Sequence, residues 1–272
     1  MGRLRWQTRH RKIMDQPPNF PANKMSIPKE TTICVLCYGD FPDLARRCIG
    51  SIIASCPAEK YELRVGLNEC SPATIDYVQS VPEVDSIYLC RRNLNQCPMM
   101  ARMLSRLDTE FVWWFDDDSH VTHPGALDYR LRVARECQAT VGLWGEVYFN
   151  RTIAEFADEE ELQSWLRRQS WYRGQPAPCG RCKFEPGYRE SGDQTWHFCA
   201  GGSWFARSRA IEELGWPPKS LVKRSNDVLL GEAMRQAGYE IMHIGGVGVA
   251  QSDAPRRGTG ESLADMTAQM RA

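Results

Sequence analysis

The chain has 272 residues, 42% of them hydrophobic and 25% charged, with 34 acidic and 34 basic side chains. This is close to the ordinary globular mix of about 45–50% apolar and 25% charged residues, which excludes a disordered or collagen-like chain. No apolar run approaches the roughly 18 residues of a membrane-spanning helix, and the basic start is not followed by the apolar stretch of a secretory leader.

Residues 1–12 carry Arg3, Arg5, Arg9, Arg11 and Lys12 and no acid. Such an arm binds nucleic acid or anionic membrane, or is a solvated tail; the tail is the expected reading. A Pro-rich lead-in (Pro17, Pro18, Pro21, Pro28) completes residues 1–30, and strands and helices then alternate. Thr31–Leu36 is a β-branched strand, followed by a turn at Tyr38–Asp40 and a helix from Pro42 to near Ser55. Glu62–Leu67 is a second strand, a helix starts behind Ser71-Pro72, and Ser86–Leu89 is a third strand. Cys97–Leu107 reads as a helix with Pro98 in its first turn, where a missing N–H costs nothing. Phe111–Phe115 (FVWWF) is too apolar to be half-solvated and belongs at a sheet centre. A helix over 124–137 follows it.

This rhythm predicts an α/β fold, a mostly parallel central sheet with helices on both faces, in a single domain over 31–251. The second half is less regular. It offers strands at Val141–Phe149, His197–Ala206 and Tyr239–Ile244, helices at Asp158–Gln169 and Asn226–Ala237, and a Gly- and Pro-rich loop at Gln175–Asp193. Residues 252–272 form a polar tail with a weak helix at Glu261–Met270. Eleven cysteines spread through these elements, without a leader, read as reduced, buried small side chains of a cytoplasmic protein.

The chemistry concentrates behind FVWWF, where Asp116, Asp117 and Asp118 follow one another. Ligands of open α/β sheets sit outside the carboxyl ends of the strands. Three acids there repel one another unless a cation or hydrogen bonds compensate. A hard divalent ion held by one or two carboxylates and by substrate phosphates meets that need; the plain alternative is a solvated acidic turn. Two enzyme classes end a strand in D-x-D. Phosphatases of the haloacid dehalogenase type carry it on an N-terminal strand and continue with Thr or Val, where this chain has His120 behind a fourth strand. Glycosyltransferases use it to hold Mn²⁺ or Mg²⁺ on the diphosphate of a nucleotide-sugar.

From Thr31 to Gln251 the chain resembles GT-A (Rossmann-like) glycosyltransferases of family 2, piece by piece and in order. Thr31–Asp40 resembles the first strand and the turn that packs on the nucleotide. Glu62–Ser71 resembles the second strand, whose turn reads the base. Arg91–Asn95 with the Arg102 helix resembles the segment closing over nucleotide and diphosphate, and Phe115–Asp118 matches the D-x-D. Cys199–Arg207 resembles the Gly-Gly strand lining donor sugar and acceptor, and Ser225–Tyr239 the helix that carries an acidic pair and ends in Gly-Tyr.

The resemblance implies a nucleotide-binding half over 31–120 and an acceptor half over 121–251. It implies transfer of one sugar from a nucleotide-sugar to a hydroxyl, with inversion and with Mn²⁺ or Mg²⁺. Tyr38, Asn68, Asn93, Arg102, Asp116 and Asp117 then fall at the donor, Asp116 and Asp118 at the metal, and Gly201, Gly202 and Trp204 along the sugar and acceptor. Asp227 becomes the general base. Read as residues alone, Asp227 behind Ser225 is a helix-dipole carboxylate worth under about 1 kcal/mol. Gly201-Gly202 is a β-bulge or a close backbone approach, and Trp204 is a core side chain.

The chain departs from the family pattern at several positions. Asn68 stands where an Asp reads uracil, Asn226 replaces the Glu of the acidic pair, and Gln251 holds the place of a metal-ligating His. His243 lies nearby in sequence and reads as a core or strand-edge histidine. The processive Q-x-x-R-W signature is absent, which favours transfer of a single sugar. Cys179, Cys182, His197 and Cys199 have the residue types of a closed zinc site, but their spacing matches no zinc module, and a free thiol pair in a loop is the expected reading. The acceptor stays open among glycan, small molecule, protein and hydroxymethylated DNA base. The basic arm, with Arg256 and Arg257 in the other tail, raises the DNA option through phosphate contacts. A non-catalytic nucleic-acid or partner-binding module on the same scaffold is the rival, against which the presence of Asp116, Asp118 and Asp227 argues.

Overall fold

The apolar run expected at a sheet centre is there: β4 (Phe111–Asp116) is buried at every position. The computed structural model describes residues 28–136, 143–144, 156, 159–174, 202–222, 226–239, 242–243 and 248–251. The basic arm, the Gln175–Asp193 loop, the four zinc candidates, Gly201, Ser225 and the polar tail with Arg256 and Arg257 lie outside the described residues.

In chain order the first half runs β1 (Thr31–Tyr38), α1 (Pro42–Ser55), β2 (Tyr61–Asn68), α2 (Pro72–Ser80), β3 (Ser86–Cys90), α3 (Gln96–Met103), β4, β5 (Ser119–Val121) and α4 (Ala126–Glu136). The second half holds β6 (Leu143–Trp144), α5 (Glu159–Arg167), β7 (Ser203–Arg207), α6 (Ser208–Leu214), α7 (Asn226–Ala237), β8 (Met242–His243) and β9 (Val249–Gln251). Among the described residues seven strands form one sheet, in the order β3-β2-β1-β4-β7-β6-β8. The first four are mutually parallel. β7 and β6 then enter antiparallel to β4 and β7 in turn, and β8 runs parallel to β6. A two-stranded antiparallel ribbon, β5 with β9, stands apart from this sheet.

Alternation along the strands feeds two cores, one on each face. Cys34, Leu36, Val112, Trp114, Trp204 and Ala206 pack beneath α3, α5, α6 and α7. Ile33, Val35, Phe111, Trp113, Phe115 and Phe205 pack beneath α1, α2 and α4. Burial on both faces is why these strands are nearly continuous apolar runs rather than alternating ones. Aromatic pairs cross from β4 to β7: Trp114 on Trp204 with ring centroids 5.8 Å apart, and Phe111 on Phe205 at 5.2 Å. Among the described residues no helix is long and apolar enough to cross a membrane.

Local signals set most boundaries. Pro42 opens α1; Ser71 caps α2, its hydroxyl accepting the Thr74 N–H at 3.4 Å with Pro72 at the first helical position. The helix expected over 97–107 is shorter, because a strand side chain intervenes. Arg64 of β2, 6% exposed, donates to the carbonyls of Met103, Ser105 and Arg106, each at 2.9 Å. The Met103 carbonyl is one that the end of an α-helix leaves unpaired; Ser105 and Arg106 follow it outside the helix, and Arg106 turns away at φ 55°. Of the strands expected at Val141–Phe149 and His197–Ala206, the described parts are Leu143–Trp144 and Ser203–Arg207.

Candidate active site

Three elements meet at the carboxyl end of the sheet: the end of β1 at Tyr38, the end of β2 at Asn68, and the end of β4 at Asp116. The parallel register puts Tyr38 opposite Asn68 and Leu36 opposite Asp116.

Each acid of the triplet has its own environment. Asp116 ends β4 on the face of Trp114; its Oδ1 accepts the Trp114 indole N–H at 3.2 Å and the Gln96 amide at 3.2 Å. Its backbone N–H donates to the Gly202 carbonyl at 2.9 Å, so the entry of β7 fixes the exit of β4. Asp117 is 2% exposed; its Oδ2 accepts the Tyr38 N–H at 3.2 Å and its own N–H donates to Leu36 O at 3.1 Å. Asp118 is the partly exposed member of the three. Beneath them lies Cys48 of α1, whose thiol donates to the Asp116 carbonyl at 3.9 Å. Burial pushes that thiol well above its usual pKa, and the charges of Asp117, Asp118 and Asp116 push it further. Negative potential is thus focused at this end of the sheet. The neighbouring His120 imidazole is held below its usual range, first by burial and then by Arg47.

The donor-side residues divide. Asn68, 2% exposed, turns its amide onto the Asn93–Asn95 segment. Arg102 lies on the exposed face of α3, six residues beyond Gln96, which is about 9 Å along the helix. Trp204 is 2% exposed and stacked on Trp114, in the core beneath α7. Asp227 is half-buried in the first turn of α7, with Oδ1 accepting the Val228 N–H at 2.9 Å. α7 and α3 cover the same face of the sheet, the face to which Asp116 belongs.

The two candidates for a third metal ligand are placed very differently. β9 lies antiparallel to β5 with Gln251 opposite Ser119, so its backbone adjoins the residue after Asp118. β8, which carries His243, is three strands from β4, about 14 Å across the sheet. Among the described residues no three His, Cys, Asp or Glu side chains converge as a closed metal cage. One partly exposed carboxylate beside a buried one fits the other kind of site, where an ion of the Mg²⁺ type is shared between one or two carboxylates and substrate phosphates.

Sequence reasoning missed Gln96, taken as lying before the helix, and the indole of Trp114. The second was readable: residues i and i+2 of a strand share a face, and a buried Trp N–H wants an acceptor.

No protein-family model and no curated protein sequence matches this chain. Its fold is similar to that of the mannosyltransferase PcManGT from Pyrobaculum calidifontis, solved with GDP-Man and Mn²⁺, at a TM-score of 0.57 and 12% identity over 90% of this chain and 62% of that one. It is also similar to S. aureus TarS 1–349, with a TM-score of 0.50 and 12% identity over 79% of this chain and 58% of that one. In the complex of TarS 1–349 with UDP the values are 0.53 and 13%, over 79% and 57%. The chain therefore has a glycosyltransferase fold of the GT-A type. It spans about three-fifths of the length of these proteins.

Proposed function

We propose that this protein is a glycosyltransferase that moves one sugar from a nucleotide-sugar to a hydroxyl acceptor, with inversion at the anomeric carbon. The observation that carries this reading is the acid triplet at the end of β4, two members locked by hydrogen bonds and Asp118 partly exposed, on a GT-A sheet. Asp118, with Asp116 behind it, would hold Mn²⁺ or Mg²⁺. When bound, that ion supplies Lewis-acid stabilisation of the departing diphosphate.

The rest is done by the chain. Tyr38, Asp117 and the Asn93–Asn95 segment border the nucleotide, and Arg102 offers a cation near its phosphates. Gly201 and Gly202, having no side chains, would let backbone approach the sugar. Asp227 accepts the proton of the acceptor hydroxyl as its oxygen attacks the anomeric carbon. The bond from that carbon to the diphosphate oxygen breaks in the same displacement, and its electron pair leaves with the nucleoside diphosphate.

Mass spectrometry of a panel of nucleotide-sugars with candidate acceptors, modified DNA included, tests this reading. Transfer that disappears in Asp118→Asn and Asp227→Asn supports it. Full turnover in both variants would overturn it.

A further inference from the structure

The resemblance gives the residue at the end of β2 the task of reading the donor's base, yet here that residue is occupied elsewhere. Asn68 Oδ1 accepts the Leu94 N–H at 2.9 Å. Its Nδ2 donates to Asn93 Oδ1 at 3.0 Å and reaches the Asn95 carbonyl at 3.5 Å. Asn93 Oδ1 in turn accepts the Asn95 N–H at 2.7 Å. The amide orientations are fixed by backbone N–H groups, which can only donate: Leu94 requires the oxygen of Asn68, and Asn95 requires the oxygen of Asn93. With 2% of its surface exposed, Asn68 has no edge left for a base.

The segment it holds is under strain. Asn95 sits at φ 67°, ψ 172°, a region that residues with a Cβ adopt only when the surroundings over-determine it. The next residue is Gln96, first of α3, whose amide donates to Asp116. β2 thus grips α3 at both ends, with Asn68 before its first turn and Arg64 behind its last. Hydrogen bonds from the end of β2 hold Asn93–Asn95, the backbone carries on to Gln96, and the Gln96 amide bonds the end of β4.

We propose that Asn68 is a positioning residue, which through the Asn93–Asn95 turn sets Gln96 against Asp116, and that the base of the donor is read by other groups. This role deepens the glycosyltransferase reading and rests on it for its kinetic consequence, but not for its structural one. An aspartate at position 68 would lose the Nδ2 donor and set a carboxylate against Asn93 Oδ1. Turning Asn93 over to offer its own Nδ2 would then deprive Asn95 of its acceptor.

The test has two arms. In ¹⁵N spectra of the full chain without nucleotide, Asn68→Asp and Asn93→Leu should shift the Gln96 side-chain amide and the Trp114 indole N–H, while Asn93→Asp, which keeps both acceptor bonds, leaves them in place. Unchanged Gln96 and Trp114 signals in folded Asn68→Asp would overturn the proposal, and Asn68→Ser serves if that variant does not fold. In the second arm UDP, GDP and ADP are titrated with Mn²⁺. Asn68→Asp should weaken those that bind the unaltered protein by a common factor, and a gain of about tenfold or more in preference for UDP, about 1.4 kcal/mol, would show a base-reading residue instead. If none of the three binds the unaltered protein, the nucleotide reading fails, and the spectra still decide the role of Asn68.

Discussion

Trp114 donates its indole N–H to the Oδ1 of Asp116, two residues along the same strand, at 3.2 Å. The ring that makes this bond is also the one stacked on Trp204, so one side chain joins the core to the acid cluster. Trp114→Phe keeps much of the stacking and removes the bond. Losing a hydrogen bond to a charged partner costs about 1.5–3 kcal/mol, and the smaller ring adds a cavity cost. Thermal denaturation should show a drop of about 5–15 °C, at about 2–4 °C per kcal/mol. A drop near zero would mean that the indole bond contributes nothing to the stability of the fold.

Asp118→Asn should reduce Mn²⁺-dependent transfer more than it reduces stability, because Asp118 is the partly exposed acid of the three. Asp227→Asn should lower kcat by about 10²–10⁴-fold, the range for removal of a general base. Donor KM is expected to rise in the first variant and to stay put in the second. Steady-state kinetics at varied Mn²⁺ separates these outcomes.

Gly66→Ala tests how closely α3 lies on the sheet. A methyl group there would overlap Met103 Sδ and come to 3.2 Å from Leu36 Cδ1, and Met103 is fully buried. Overpacking of this kind costs about 1–3 kcal/mol. A melting temperature unchanged from the parent would show that α3 slides freely on β2.

Relief of strain gives a prediction of opposite sign. Asn95→Gly removes the Cβ from a left-handed, extended conformation at φ 67°. The gain should be about 1 kcal/mol after allowing for the freer unfolded chain. Chemical denaturation that shows a loss instead would assign the Asn95 side chain a contact of its own.

Alkaline pH should weaken the fold. Burial pushes the Cys34, Cys56 and Cys70 thiols from 9.0 up to about 12. Below pH 9 these thiols are protonated in both folded and unfolded chains and stability is unaffected. Between pH 9 and 12 the unfolded chain releases protons that the folded one retains, so stability falls as pH rises. At pH 10 the loss is about 1 kcal/mol per thiol, roughly 3 kcal/mol in all. Melting temperatures that stay level from pH 8.5 to 10 would contradict the burial of these groups.

The sequence makes legible what is carried by short-range pattern. Phe111–Phe115 announces a central strand because both of its faces are apolar, and Asp116–Asp118 are visible as acids delivered to its end. Pro42 and Ser71-Pro72 mark helix starts by chemistry confined to one turn. The antiparallel entry of β7 beside β4 is not written locally, since it depends on a partner 90 residues away. The early end of α3 is set by Arg64, which sits 39 residues before the Met103 carbonyl that it binds. The same holds at Asn68: its amide meets Leu94 across 26 residues, and no spacing rule connects the two.

During synthesis β4 leaves the ribosome long before the strand that completes it. Trp113 and its hydrogen-bond partner Ser203 are separated by 90 residues. At roughly 5–20 residues per second, the nascent FVWWF strand waits about 5–18 s with one edge open. An uncovered edge of Phe, Val and Trp is a template onto which other chains add. Slowing translation between residues 116 and 203 should therefore send more of the product into inclusion bodies.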